Sequence, residues 1–396
     1  MLPLGSDRRR LAVTLAGAAA FVNLYAPQSL MPLLQAWLGS SAALAGAIVS
    51  AGTLGVALAA PFAGLLADRI GRRRVILLSA FGVVPPALMV ALAQSATQLI
   101  AARFVQGLFL PGIFGVTVAY IGASWPPQEA RVVTASYVAG TIFGGFCGRL
   151  TSGVVAQLAG WRWGFAAITI LQLLLALLIL AWLPPERHPP APSRAPAWSV
   201  VRALLRRPEL RGAYALGFSL LFSLVAGFTY VTLRLAAPPF SLGPAALSAL
   251  FVVYLVGVVI TPVTGQLLNR AGHRRVLTVA WGVAVTGLLV SLSPVLPVVV
   301  LGLALFSAGL FVVQATATSF VSEVSGAARA TSVGLYVTCY YVGGSVGGVL
   351  PAPLWSRGGW PAVVLLIAAA GAASVAIGRR TFARSAASYA STGESV

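Results

Sequence analysis

Apolar runs of about twenty residues recur along the whole chain, separated by short clusters of glycine, proline and arginine. A bilayer core of about 30 Å is crossed by roughly 20 apolar residues as helix, so each run is long enough to span it. The runs place spans near 11–33, 43–63, 75–94, 97–120, 132–156, 162–183, 212–235, 246–268, 276–293, 295–319, 331–353 and 361–378, about twelve helices. Within each run the apolar character is continuous, without the alternation in roughly ten-residue units that a transmembrane barrel needs. The opening "RRRLAVTLAGAAAFV" has the basic start and apolar core of a secretory signal. Its apolar run continues to Leu34 and more spans follow, which favours a first transmembrane helix.

One long stretch breaks the pattern: Leu183 to Gly212 is polar and proline-rich, with six predicted spans on either side. The expected organisation is a six-helix bundle over 1–183, a linker over 184–211, and a second six-helix bundle with a short tail over 212–396. If the halves are duplicates, their punctuation should recur at a fixed offset. Gly64-Leu-Leu-Ala-Asp-Arg-Ile-Gly-Arg-Arg-Arg-Val returns 201 positions later as Gly265-Gln-Leu-Leu-Asn-Arg-Ala-Gly-His-Arg-Arg-Val. Gly107 returns at Gly309, and Tyr137, Gly144-Gly145 and Gly160-Trp161 return at Tyr336, Gly343-Gly344 and Gly359-Trp360. Both copies of the charged loop fall on one side of the membrane, so the repeat is parallel, about an axis along the membrane normal. Such folds bind substrate near the midplane between their halves and rock around it.

Composition sharpens the picture. Of 396 residues 59% are hydrophobic and 8% charged, with mean hydropathy +0.93, values that exclude a soluble domain. Every base is arginine, and 21 of the 26 arginines, including Arg187 and Arg194 of the linker, can be assigned to one side of the membrane. The positive-inside rule then puts both termini and the linker in the cytoplasm. A net charge of +19 raises nucleic acid as a partner, but the bases are spread over loops that follow topology, and anionic membrane lipids account for them better. Lack of lysine with abundant alanine, glycine and arginine suggests a GC-rich bacterial source and hence the inner membrane. Cys147 and Cys339 fall inside predicted spans without metal-ligand spacing, so packing rather than a disulfide is expected.

The charged loop "GLLADRIGRRRV" contains two glycines that would permit a tight turn, and Asp68 stands among arginines at the membrane boundary. It resembles the loop 2–3 signature of the major facilitator superfamily, at the place where that family carries it. "NLYAPQSLMPLLQ" in the first span is similar to bacterial members of the drug and sugar-efflux branch. The resemblance implies alternating access, with Gly64, Asp68, Arg69, Gly71 and Arg72 as a cytoplasmic latch that docks near the start of helix 11, around Thr331. Glu129 and Arg131 are rim charges grouped with it. The second copy carries Asn269 in place of the acid, so the latch is expected to be asymmetric.

None of the seven acids lies mid-span, and all fall on the expected cytoplasmic side, as do His188 and His273. Three arginines, Arg103, Arg149 and Arg234, lie within spans or at their outer ends. A charge inside the membrane is costly and by default a functional candidate. By resemblance, Arg103 followed by Gln106 and Gly107 matches a helix 4 pattern associated with transport or proton coupling; a pairing of Arg103 with backbone carbonyls is the alternative. Arg149 closes the small-residue run "GTIFGGFCGR", which lets helices approach closely. That run resembles the helix 5 antiporter motif but carries Gly145 where proline is expected and Arg149 where glycine is. Arg234 could instead snorkel to the interface. Polar and aromatic residues on inner faces complete the candidate substrate contacts: Asn23, Tyr25, Gln28, Tyr137, Thr141, Phe222, Tyr230, Tyr254, Gln314, Tyr336 and Tyr340, with Arg234. Embedded cations without an embedded acid favour anionic or zwitterionic amphiphiles over lipophilic cations.

The sequence therefore points to a monomeric secondary transporter for a small amphiphilic compound, in the export direction, with protons as the possible coupling ion through Asp68, Glu129 or Glu323. A lipid, lysolipid or organic-anion transporter is the alternative. A membrane sensor would call for a soluble output domain that a linker of about thirty residues is too short to hold. An enzyme would need a nucleophile and base or a nucleotide-binding loop, which the sequence lacks, and no cofactor is expected.

Overall fold

The computed structural model describes Leu4–Glu186, Trp198–Ser325 and Ala328–Thr392, except the side chains of residues 4–6, 330 and 384–392. Arg187, His188, Arg194 and Glu394 lie outside the described residues. Every described element is helical: α1 (Leu4–Val22), α2 (Met31–Trp37), α3 (Ala42–Ile70), α4 (Arg72–Gly82), α5 (Val84–Leu92), α6 (Ala96–Ser124), α7 (Pro127–Ala159), α8 (Trp161–Trp182), α9 (Trp198–Arg206), α10 (Pro208–Ala236), α11 (Pro244–Ala249), α12 (Val256–Val290), α13 (Leu296–Val324), α14 (Arg329–Val349) and α15 (Ala352–Thr392). Short 3₁₀ segments, Ala26–Leu30 and Leu250–Leu255, precede α2 and α12.

Among the described residues nine helices are long and apolar enough to cross a membrane, or ten when the bent pair Asp7–Val22 and Ala26–Trp37 counts as one. The predicted spans 246–268 and 276–293 lie on either side of Gly272, where non-helical backbone (φ 70°) kinks the chain between two helices. The predicted eleventh span is α14. The predicted first span, 11–33, is not one helix but is bent by 41°. Pro27 causes this, because it lacks an N–H and crowds the carbonyl four residues earlier.

Both faces of these helices are apolar, as a lipid-facing element requires. On α8, Phe165, Ile168, Leu175 and Ile179 are buried at helical spacing while Ile170, Leu173, Leu174 and Leu177 are exposed. A soluble helix would carry polar residues on that second face.

The described chain divides into two compact units. One holds residues up to Glu186 together with Thr232–Val252; the other holds Trp198–Val231 and the residues from Val253 onward. In the first, glycines let α7 lie against α1: a Cβ on Gly140, Gly144 or Gly148 would collide with Thr14, Ala18 or Val22, each one turn further along. α3 and α6 meet in the same way, Gly55 on Phe104 and Gly107 on Gly52. The stretch Thr232–Val252 seats on α7, where Gly153 admits the Ser248 side chain and Gln157 Oε1 accepts the backbone N–H of Ala245 at 3.1 Å. In the second unit Gly343 and Gly347 of α14 meet Phe218 and Phe222 of α10, and Gly287 and Gly302 bring α12 onto α13. Small residues at helix interfaces are the usual route to close packing in lipid.

The sequence repeat returns in the backbone. Left-handed φ angles occur at Ser40 and Ser241, at Gly71 and Gly272, and at Gly160 and Gly359. The first two pairs are separated by 201 residues and the third by 199, the offsets of the sequence repeat.

Candidate functional site

Three clusters hold half of the predicted site residues. The first forms at the break after α1. Pro27 has no N–H to give the carbonyl of Asn23, and the N–H of Gln28 turns to Tyr25 O at 3.0 Å instead of continuing the helix to Leu24. Two carbonyls are thereby left without helical donors, a state that costs several kcal/mol each in a dry environment. Arg103 of α6 supplies the donors. Its Nη1 reaches Asn23 O at 2.9 Å, its Nη2 reaches Leu24 O, and its Nε reaches Ile48 O at 3.4 Å. A cation is well matched to carbonyls at the C-terminal end of a helix.

A chain of amides surrounds this guanidinium. Gln106 Oε1 accepts from Arg103, Gln106 Nε2 donates to Asn23 Oδ1 at 2.9 Å, Asn23 Nδ2 to Gln172 Oε1 at 2.9 Å, and Gln172 Nε2 to Ala80 O at 3.0 Å. Arg103 is 1% exposed, and no carboxylate pairs with it among the described residues. Of the alternatives open in the sequence, backbone pairing describes its contacts.

Arg149 forms the second cluster with the 3₁₀ segment after the break. Its Nη2 and Nε donate to Gln28 Oε1 at 2.8 and 3.3 Å, and its Nη1 donates to Gly145 O at 2.8 Å. The guanidinium carbon lies 4.4 Å from the ring centre of Phe251 and 5.1 Å from that of Tyr25, a cation–π arrangement. Gly145, where the resembled motif has proline, leaves room for the guanidinium: a Cβ there would stand 3.3 Å from Arg149 Nη1.

The charged loop is the third. The turn rests on Gly71, with φ 95°, rather than on Gly64, which lies within α3 with open space where a Cβ would stand. Glu186 closes over the turn: its Oε2 accepts the N–H of Arg72 at 3.1 Å and its Oε1 lies 3.6 Å from Arg72 Nη1. Arg73 donates to Leu183 O at 2.6 Å and to Leu180 O at 3.3 Å, capping the end of α8. Asp68, Arg69, Arg73, Arg74 and Glu186 line a cavity of about 520 Å³. Asp68 forms no hydrogen bond or ion pair with any described residue.

The remaining candidates are dispersed. Glu129 and Arg131 are exposed near the start of α7. Tyr137 donates to Phe114 O at 2.9 Å, Thr141 to Val138 O at 2.7 Å, and Tyr230 to Gly348 O at 2.9 Å. Tyr254 packs edge-on against Phe228 and Phe311, and Phe222 stacks on Phe218. The Arg234 guanidinium lies over Phe240, and the Gln314 carbonyl accepts from Thr318. Tyr336 and Tyr340 stack with centroids 6.2 Å apart, and the buried Tyr336 hydroxyl has no hydrogen-bond partner among the described residues.

Sequence reasoning missed Gln172, Glu186, the capping role of Arg73, and Phe251. Gln172 stands as the one amide in "ILQLLLALLIL", a usable signal, since a polar group buried in lipid seeks a partner. Cys147 and Cys339 are free thiols.

A family model described as Major Facilitator Superfamily matches residues 13–348. The inner membrane transport protein YnfM of Escherichia coli (strain K12) is 31% identical over 379 residues, 95% of this chain and 91% of that protein. YybF, an MFS-type transporter of Bacillus subtilis (strain 168), is 29% identical over 355 residues, covering 89% and 88%. The solved structure of a bacterial homolog to the human lysosomal transporter Spinster, inward-facing and unoccupied, superposes with a TM-score of 0.78 at 15% identity, over 97% of this chain and 98% of that one. At that identity the likeness is one of fold.

Proposed function

The chain belongs to the major facilitator superfamily, and we propose that it is a proton-coupled secondary transporter that exports a small amphiphilic compound by alternating access. It is a multi-pass membrane protein of the transporter type. On the proposed reading it works as a monomer in a bacterial inner membrane, with both termini in the cytoplasm, where the arginine bias would put them.

Asp68 carries the reading. It is a carboxylate in an arginine-lined cavity, beside a turn pinned by Glu186, and has no fixed partner among the described residues. An acid held in that way is available to pair when the protein changes state, as a latch must be. Arg103 and Gln106 then act by holding the break after α1, while the Tyr336 hydroxyl, which has no partner among the described residues, hydrogen-bonds the substrate.

A lipid, lysolipid or organic-anion transporter is the second reading. Arg103 and Arg149 are buried and occupied by carbonyl and amide acceptors, so they favour anionic or zwitterionic cargo only through the positive field they add to the spans.

Size-matched anionic, zwitterionic, neutral and cationic amphiphiles, screened by thermal stabilisation of the detergent-purified chain, test cargo class. Transport of the best binder in proteoliposomes under an imposed pH gradient tests the rest. Tyr336→Phe should weaken binding roughly 3–10-fold, the loss of one hydrogen bond of about 1 kcal/mol. Asp68→Asn should leave stabilisation intact and stop transport. Preferential stabilisation by cations overturns the cargo class, and transport indifferent to both Asp68→Asn and the gradient overturns the latch and the coupling.

A further inference from the structure

The helix α9 has no place in the transport machinery described above, and its surface is unusual. Its sequence, "WSVVRALLR", is strongly amphipathic. Leu204 is buried and α9 packs on α14 of its own unit. A second apolar edge turns outward: Trp198 is 76% exposed and Leu205 is 40% exposed. These two stand seven residues apart with Arg202 between them, so the three share one helical face, and Arg206 follows on its flank. Arg202, Arg206 and Arg207 are all exposed.

The position of α9 along the chain says what meets this face. Only Arg207 separates it from Pro208, where the candidate span α10 begins. A nine-residue helix is about 14 Å long, so one residue away from a span it stays near the membrane boundary. In water an outward tryptophan and leucine ringed by arginines is unfavourable. At a lipid headgroup layer the indole sits at the interface, the leucine enters the acyl boundary, and the arginines meet anionic phosphates.

We infer that the outward face of α9, made by Trp198, Arg202, Leu205 and Arg206, is a docking surface for anionic phospholipid headgroups of the leaflet where α10 enters. The inference is independent of cargo and coupling. It makes the end of the linker a lipid-responsive element, since contact at α9 is transmitted directly to the start of α10.

The test uses the full chain in nanodiscs of phosphatidylcholine alone or mixed with phosphatidylglycerol, with hydrogen exchange read over Trp198–Arg206 and over α6 as a folding control. Exchange at α9 should slow severalfold in the anionic discs. The double variant Arg202→Glu/Arg206→Glu should abolish that difference with α6 unchanged, and Trp198→Ala should speed exchange at α9 in both lipids. Equal protection in both lipids, or a lipid difference that survives the double variant, overturns the inference. Protection that rises with protein concentration instead of anionic lipid also overturns it, and points to a second copy of the chain.

Discussion

The first span is broken after Val22 and its loose carbonyls are held by Arg103, whereas α10, which opens the second six-span half of the sequence, runs unbroken from Pro208 to Ala236. The interior of α10 contains no proline, so no carbonyl is orphaned and no cation is needed. Leu305 and Ala308 stand 202 positions after Arg103 and Gln106. Gln172, which reaches Ala80 in the first unit, is matched at 199 positions by Gly371, which lies against Trp281, itself 201 positions after Ala80. The volume that the first unit fills with an amide chain, the second fills with rings, including Phe228 stacked on Phe306. One backbone plan thus supports a polar core or an apolar one, and the choice follows from whether proline interrupts the leading span.

The strongest way to break this comparison is to give the first unit the chemistry of the second. Arg103→Leu leaves two buried carbonyls without donors, at roughly 1–3 kcal/mol each, so a loss of about 3 kcal/mol is expected in thermal unfolding of the purified protein. Pro27→Ala returns an N–H toward Asn23 O. The double variant Pro27→Ala/Arg103→Leu should therefore recover part of the loss, giving a positive coupling in a double-mutant cycle. Additive losses would show that Arg103 does not serve the break. Its role would then have to be sought in transport itself.

What the units share should respond alike. Gly148 meets Val22 as Gly347 meets Phe222, the glycines 199 and their partners 200 positions apart. Gly148→Ala and Gly347→Ala should each cost about 1–3 kcal/mol through overpacking, with matched shifts in melting temperature. An effect confined to one unit would mean that the close approach is a local feature and not part of the repeated plan.

The sequence made the repeat legible because its glycines answer to the backbone alone: a left-handed turn at Gly71 or a contact at Gly148 admits little else. It also contained the reason for the break, Pro27, and the cation, Arg103, but not their connection, which spans about eighty residues and depends on how α6 crosses α1. For the same reason Gln172 was readable as an isolated amide but not as the partner of Asn23. Gly64 was expected to help make the turn, yet the helix runs past it to Ile70. The expected separation of the spans 246–268 and 276–293 falls at Gly272, where non-helical φ and ψ kink the chain between two helices.

The finest distinction lies in the two copies of the charged loop. Glu186 holds both the N–H and the guanidinium of Arg72. His273 takes that place in the second unit and lies 3.4 Å from Glu323, between Phe320 and Phe382. Glu186 therefore holds the first loop through two groups of Arg72, while Glu323 reaches the second through the imidazole alone. Both pairs are partly exposed, so each is worth roughly 0.5–1 kcal/mol, or about 2–5-fold in local opening. Hydrogen exchange should show opening around Gly71 rising about 2–5-fold in Glu186→Gln and opening around Gly272 rising by less in Glu323→Gln. His273→Arg, which offers Glu323 a guanidinium, should slow opening around Gly272. No response to any of the three variants would mean that both loops are held by their turns alone.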